Sequence, residues 1–152
     1  MALPHLAWRK YMKYRTRDFG EIELDQVQSI EFLRPIFGYD EYQKFTLLFD
    51  EQVGRQIMWL QSLEESDLCF ILADTSLLMQ PYTPQLSQEE QDLLGEGDLV
   101  CLLMMITVPN LQDSTVNLRN PIIINTTTQK AIQALLPQEY PLRKKVFESE
   151  DA

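Results

Sequence analysis

Ser114-Thr115-Val116-Asn117-Leu118-Arg119-Asn120-Pro121-Ile122-Ile123-Ile124-Asn125 is the stretch on which the reading of this 152-residue chain turns. Thr115 to Leu118 alternates polar and apolar side chains at a period of two, the mark of a strand with one face buried. Asn120-Pro121 breaks that ladder, because Pro121 has no N–H to donate and restricts the residue before it. Ile122, Ile123 and Ile124 restart a β-branched, fully buried run, which Asn125 and Thr126 to Thr128 close. The local prediction is a strand, a kink and a second strand. Asn117 and Asn125, on either side of Pro121, are assigned to backbone groups beside the break.

Outward from this stretch, similar signals recur. Residues 10–17 alternate as an edge strand does, Asp18-Phe19-Gly20-Glu21 reads as a turn, and Glu21 to Asp25 alternates strictly, so residues 10–25 form a predicted β-hairpin. A strand begins with Ile30 and Phe32 and ends at Arg34-Pro35. Residues 45–49 and 56–61 flank a turn built on Asp50, Glu51 and Gly54, and residues 68–73 make another short apolar run. Residues 99–108 read as a long central strand. One helix is predicted, solvent-facing, over residues 87–94: Ser87 is its N-cap, Glu90 completes a capping box, and Gly95 or Gly97 stops it. Residues 127–136 fit both periods, a helical face through Ala131, Ile132, Leu135 and Leu136 or a strand through Ile132, Ala134 and Leu136. Short strands between turn signals predict a mainly β fold, a small antiparallel barrel or closed sandwich with one short helix.

The bulk properties narrow the function classes. The length and 45% hydrophobic content suit one domain with an ordinary core. Apolar runs are too short to span a bilayer, and no apolar segment follows Arg9, Lys10 and Lys13 as in a secretory leader, so a cytoplasmic protein without membrane contact is expected. Cys69 and Cys101 lie in apolar runs without C-x-x-C spacing and read as buried free thiols. Charge is unevenly spread. Residues 1–17 hold five Lys/Arg and no acid, residues 143–145 hold three more, and residues 18–142 hold twenty Asp/Glu against five Lys/Arg, a balance of −15. So acidic a body repels a phosphate backbone and suits a basic protein.

Catalytic constellations are missing. His5 is the one histidine, which removes Ser-His-Asp and Cys-His systems and histidine zinc sites. Five glycines form no phosphate loop, and no cofactor is expected. Glu64-Glu65-Ser66-Asp67 and Glu96-x-Asp98 lack the calcium-loop pattern and flank turns, where solvated charge is the ordinary explanation. The basic hairpin bearing Trp8, Tyr11 and Tyr14 fits an RNA contact but fits an aromatic edge strand as well.

The string T-x-N-L-x-x-P-I-x-x-N within residues 115–125 resembles the signature of the flagellar assembly factor family, FliW. The resemblance runs over residues 12–136. It takes in Phe19-Gly20-Glu21-Ile22, Leu60-Gln61-Ser62, the run from Leu68 to Leu72, Thr107-Val108-Pro109, and Ile36-x-Gly38-Tyr39, which is similar to the family's G-I-P-G-F loop. Pro35 stands where that loop has its first glycine, Phe37 where it has proline, and Asp74-Thr75 where Ser-Pro is usual. Residues 1–10 and 137–152 fall outside as extensions. The resemblance favours a strand in residues 127–136, pairing back on Ile122 to Ile124.

What the resemblance implies is a non-enzymatic, chaperone-like partner switch. Proteins of this family bind cytoplasmic flagellin and alternatively CsrA, a regulator that represses flagellin translation, so that flagellin export frees the factor to sequester the regulator. An amphipathic flagellin helix needs an exposed apolar patch, for which Pro35, Ile36, Phe37, Gly38 and Tyr39 are the candidates. Asp40, Glu41, Glu64, Glu65 and Asp67 are the candidates for steering a basic partner. A monomer is expected. Two other readings remain: a small-molecule-binding barrel holding ligand among Met58, Trp59, Phe70, Met104 and Met105, and a carboxylate-dependent hydrolase.

Overall fold

A computed structural model describes residues 11–147 other than 26, 27 and 138. The extension expected at residues 1–10, with His5 and Trp8, lies outside the described residues. In chain order the elements are β1 (Tyr11–Arg15), β2 (Glu21–Asp25), β3 (Ile30–Arg34), β4 (Lys44–Asp50), β5 (Gly54–Ser62), β6 (Cys69–Asp74), α1 (Gln88–Leu94), β7 (Leu99–Ile106), β8 (Thr115–Val116), β9 (Ile122–Asn125), β10 (Lys130–Gln133) and β11 (Lys144–Lys145). The ladder runs β7-β6-β5-β4-β3-β10-β9, and β9 pairs back on β7, which closes a seven-stranded barrel. Every seam is antiparallel except β10 on β3. The hairpin β1–β2 forms its own two-stranded sheet, tied on by Arg17, whose backbone N–H and Nη1 donate to Gln61 Oε1 and the Cys69 carbonyl.

Period-two alternation sorts the side chains. Phe32, Phe45, Met58, Leu60, Leu72, Leu102, Ile122, Ile124 and Ala131 fill the interior. Their neighbours Ala73, Leu103 and Met105 point outward beneath Tyr82, Tyr140, Val146 and Phe147. Ile123 and Ile132 point outward beneath Leu94 of α1 and Leu86. Strand β9 is therefore buried on both faces. Trp59 and Met105, expected inside, are outside: Trp59 alternates with Met58 and packs edge-on against Phe19 of the hairpin turn, ring centres 5.2 Å apart. Side chains fill the barrel interior, and of the residues named for the small-molecule reading Phe70 and Met104 line an open cleft.

Three boundaries differ from the sequence reading. The strand expected over residues 115–118 stops at Val116, because the Asn117 side chain accepts from the backbone N–H groups of Arg119 and Asn120, both at 2.9 Å, and turns the chain. The strand expected to reach Val108 stops at Ile106. Of the stretch expected as a C-terminal extension, residues 140–147 join the outer layer: Lys144 and Lys145 pair with Val116 and Thr115, and Val146 is buried. Residues 130–133 form a strand on β9, and α1 begins at the full capping box of Ser87 and Glu90.

Asn125 joins helix and barrel. Its Nδ2 donates to the carbonyls of Leu94 (2.9 Å) and Glu96 (3.0 Å), and its Oδ1 accepts from Thr127 N–H (3.0 Å) and Thr128 N–H (3.2 Å). Gly97, at φ +142°, lies so close that a Cβ there would strike this amide. Asn125→Ala, which strands fully buried partners, is expected to lower stability by about 2–3 kcal/mol. Gly97→Ala, which forces the amide aside, is expected to destabilise too; urea unfolding of both variants is the check.

Candidate functional site

Pro35 follows β3, and the chain then folds into a tight turn in which Tyr39 N–H donates to the Ile36 carbonyl at 2.8 Å with Gly38 at φ +88°. Positive φ at the third residue is the type II pattern, in which proline is common at the second position. Phe37 occupies that second position, and its side chain is 88% exposed. Its backbone N–H donates to Gln133 Oε1 at 2.8 Å, which fixes the turn to β10. Ile36, expected on the exposed patch, points inward at 1% exposure, because the turn directs it into the barrel core. Tyr39 is partly exposed and packs edge-on against Phe70, ring centres 5.1 Å apart.

The turn forms one wall of an open cleft of about 580 Å³ at the mouth of the barrel. Phe70 and Met104 line it from within, and the exposed side chains of Phe37, Ile106, Leu135 and Leu142 stand at its rim. Thr115, Asn117 and Asn120 make the opposite wall, so the stretch that breaks between β8 and β9 is also what shapes the cleft. Gln133, buried, joins the walls: besides receiving Phe37 N–H, its Nε2 donates to the Asn120 carbonyl at 3.4 Å and lies 3.5 Å from Met104 Sδ. Behind Leu135 stands Glu90. Its Oε2 accepts from Leu135 N–H (2.8 Å) and Arg34 Nη1 (3.1 Å), and its Oε1 accepts from Ser87 N–H (2.9 Å). The helix expected to face solvent thus sends one carboxylate, 2% exposed, against the outside of the barrel.

The acids expected to steer a partner lie on two loops joined by one of them. Glu64 Oε1 accepts from the backbone N–H groups of Gln43 (2.6 Å) and Lys44 (2.9 Å), which holds the β5–β6 turn against the end of the loop bearing Asp40 and Glu41. Glu65 and Asp67, like Asp40 and Glu41, are exposed. A second cleft, of about 640 Å³, lies between the hairpin and the barrel, and there Lys130 and Glu31 neutralise one another at 2.9 Å. The hairpin's basic residues also meet acids, Lys13 with Glu21 (3.9 Å) and Arg17 with Asp18 (2.8 Å). Sequence reasoning missed Gln133, Leu135, Leu142 and Arg143 in the apolar cleft, since they come from segments read as ambiguous or as an extension; the signal present was the apolar Leu135 and Leu142 beside polar turns.

Reactive chemistry finds little purchase. Burial pushes the Cys69 thiol up to about 11 and the Cys101 thiol up to about 12, so both are protonated and weakly nucleophilic at neutral pH. Among the described residues no three His, Cys, Asp or Glu side chains gather as a metal ion would need, and no helix is long and apolar enough to cross a membrane.

Comparison with known proteins agrees with this architecture. The family model described as FliW protein matches residues 13–146. The flagellar assembly factor FliW of Leptospira interrogans serogroup Icterohaemorrhagiae serovar copenhageni is 34% identical over 145 residues, 91% of this chain and 95% of the relative. That of Natranaerobius thermophilus is 33% identical over 143 residues, 90% of this chain and 93% of the relative. A crystal structure of the flagellar assembly factor FliW superposes with a TM-score of 0.82 at 26% identity, covering 91% of this chain and 99% of that one.

Glu90 makes the integrity of the cleft wall dependent on pH. Burial pushes its carboxyl up, and hydrogen bonds from Ser87, Leu135 and Arg34 together outweigh burial, so it ends below the ordinary 4.5. A carboxyl lowered by folding stabilises the fold above its unfolded pKa and loses that contribution as pH falls through the folded value. Glu90→Gln is expected to be about 2–3 kcal/mol less stable at neutral pH. In urea titrations it should also decline less steeply than the parent protein below about pH 4.5.

Proposed function

This chain belongs to the FliW family of flagellar assembly factors, and from that premise we propose that it works by binding two proteins, flagellin and the translational regulator CsrA. The observation that supports this reading is the open apolar cleft rimmed by Phe37, Ile106, Leu135 and Leu142, beside a turn that runs on into the acidic loops. A cleft with an apolar floor and exposed aliphatic rim suits the apolar face of an amphipathic helix, such as a flagellin terminus offers. The exposed acids Asp40, Glu41, Glu65 and Asp67 suit the basic surface of an RNA-binding regulator.

The residues between 35 and 41 belong to both surfaces. A helix seated against Phe37 would press on the turn that also positions Asp40 and Glu41, so the two partners would meet at one joint held by the Phe37–Gln133 and Glu64–Gln43 hydrogen bonds. The regulator would be taken up when flagellin leaves the cleft and released when flagellin returns, which links flagellin synthesis to its export.

Calorimetric titration with purified flagellin and, separately, with CsrA at low and high salt tests the reading. Saturable binding of both, with the steeper salt dependence for CsrA, is the expected result; binding of neither removes the proposal. Phe37→Ser, at an exposed site, is expected to leave the melting temperature unchanged and to weaken flagellin about tenfold or more, as loss of a central aromatic anchor does. Changing Asp40, Glu41, Glu65 and Asp67 together to Lys, with Glu64 kept for its backbone bonds, should slow CsrA association and flatten its salt dependence. Unaltered association kinetics at low salt would exclude those four from steering.

A further inference from the structure

The basic run Arg143-Lys144-Lys145 is an anomaly on so acidic a body, and the structure gives its members different roles. Lys145 pairs with Asp113 at 3.3 Å, and Lys144 and Lys145 form β11. Arg143 is exposed, lines the apolar cleft, and among the described residues is the one charged side chain that does so. Among the described residues no ion pair holds it, whereas Arg17, Arg34, Lys130 and Lys145 each have an acid within 4 Å. Its position is set by its neighbours: the Pro141 carbonyl accepts from Leu118 N–H at 3.0 Å on one side, and Lys144 is in register with Val116 on the other. The two walls of the cleft thus continue into opposite charge. The turn with Phe37 runs on into Asp40 and Glu41, and the segment with Leu142 runs on into Arg143 and two lysines.

We propose that Arg143 sets the direction in which an amphipathic helix lies in this cleft, by pairing with a carboxylate at the helix's C-terminal end. This rests on the reading of the cleft as a helix-docking site. A helix C-terminus exposes carbonyls without intrahelical partners and the negative end of the helix dipole, so a cation there is favoured. Arginine adds a planar donor fork that fits a carboxylate with two bonds, and its weak hydration suits an apolar rim. The opposite orientation would take that carboxylate away from Arg143 and leave Arg143 beside the positive end of the helix. One cation in a cleft whose other described lining residues are uncharged therefore selects polarity as well as affinity. The carboxylate has two sources, an acidic side chain in the last turn or the chain terminus.

The test uses the whole protein and a synthetic peptide of a flagellin terminal helix in three forms: free C-terminus, amidated C-terminus, and acidic side chains changed to amides. Arg143→Gln is expected to weaken the free-acid peptide about tenfold and Arg143→Glu further, the scale of one charge-assisted contact, with unchanged melting temperatures. Loss of the Arg143 effect on amidation identifies the terminal carboxylate as the partner; loss on side-chain neutralisation identifies an acidic residue. Equal affinities of the parent and Arg143→Gln for all three peptides, with Phe37→Ala still weakening each, overturn the role of Arg143 and leave the cleft as a helix site. A peptide that binds parent and Phe37→Ala alike, or binds neither, overturns the cleft reading and this inference with it.

Discussion

One edge of β7 is shared by two strands, and most of the molecule follows from how they divide it. Met105 and Ile106 face Val116 and Thr115 of β8, and Leu99 to Leu102 face Asn125 to Ile122 of β9. An unbroken antiparallel ladder starting from Met105 opposite Val116 would set Leu102 opposite Arg119, yet Leu102 faces Ile122. Strands β8 and β9 are thus one strand with three additional residues folded out of it. Asn117 starts the excursion by capping Arg119 and Asn120, and Pro121, which needs no donor partner, ends it. Leu118 is driven into the outer layer, and Asn117 and Asn120 are left as a cleft wall. Without the three extra residues the strand would continue across the barrel mouth, and the cleft would have no second wall.

A closed barrel of seven strands leaves no bare sheet edge around its ring, but it leaves a large outer face. This chain covers that face with irregular segments. Tyr82 and Tyr140 pack edge-on, ring centres 5.6 Å apart, and the Tyr82 hydroxyl donates to the Leu118 carbonyl at 2.6 Å. Helix α1, with seven residues, is too short to be stable alone, so its existence depends on its capping box and on Leu94 and Glu90 reaching the barrel. Glu90 serves both ends of that dependence: it closes the capping box, and it accepts from Leu135 N–H beside the bulge where β10 slips against β3. A buried carboxylate with three donors is stable where an unpaired one would not be.

What was legible in the sequence was whatever depends on near neighbours. Alternation marked both arms of the hairpin, Ser87 with Glu90 marked the helix start, and Pro121 marked the break. The same alternation could have placed Trp59 outside the barrel, since it follows Met58 by one residue; residue size was given more weight than period. The parallel seam of β10 on β3 joins residues about a hundred positions apart, which no local pattern encodes. Ile36 looked like its exposed neighbours because composition cannot say which residue of a turn points inward. The cleft was legible only in part: Phe37 stood out as the wrong residue for its position, whereas Gln133, Leu142 and Arg143 reach it through tertiary contacts alone.

Phe37, standing where the resemblance gives the family's loop a proline, shows how a turn can be kept while its surface changes. The turn survives because Gly38 supplies the positive φ, and Phe37 N–H, a donor that proline lacks, gains a partner in Gln133. Proline would have fixed that backbone by covalent geometry; here a side-chain amide does so, and a side-chain amide can let go. Exposed acids on the adjoining loops each contribute at most about 1 kcal/mol and are screened by salt, so they act mainly on how fast a partner arrives. Apolar contact yields roughly 25 cal/mol for each Å² removed from water, so on the proposed reading the cleft would act mainly on how long a partner stays. On the proposed reading, an aromatic ring at the tip of this turn would shift the balance toward the slow-leaving partner.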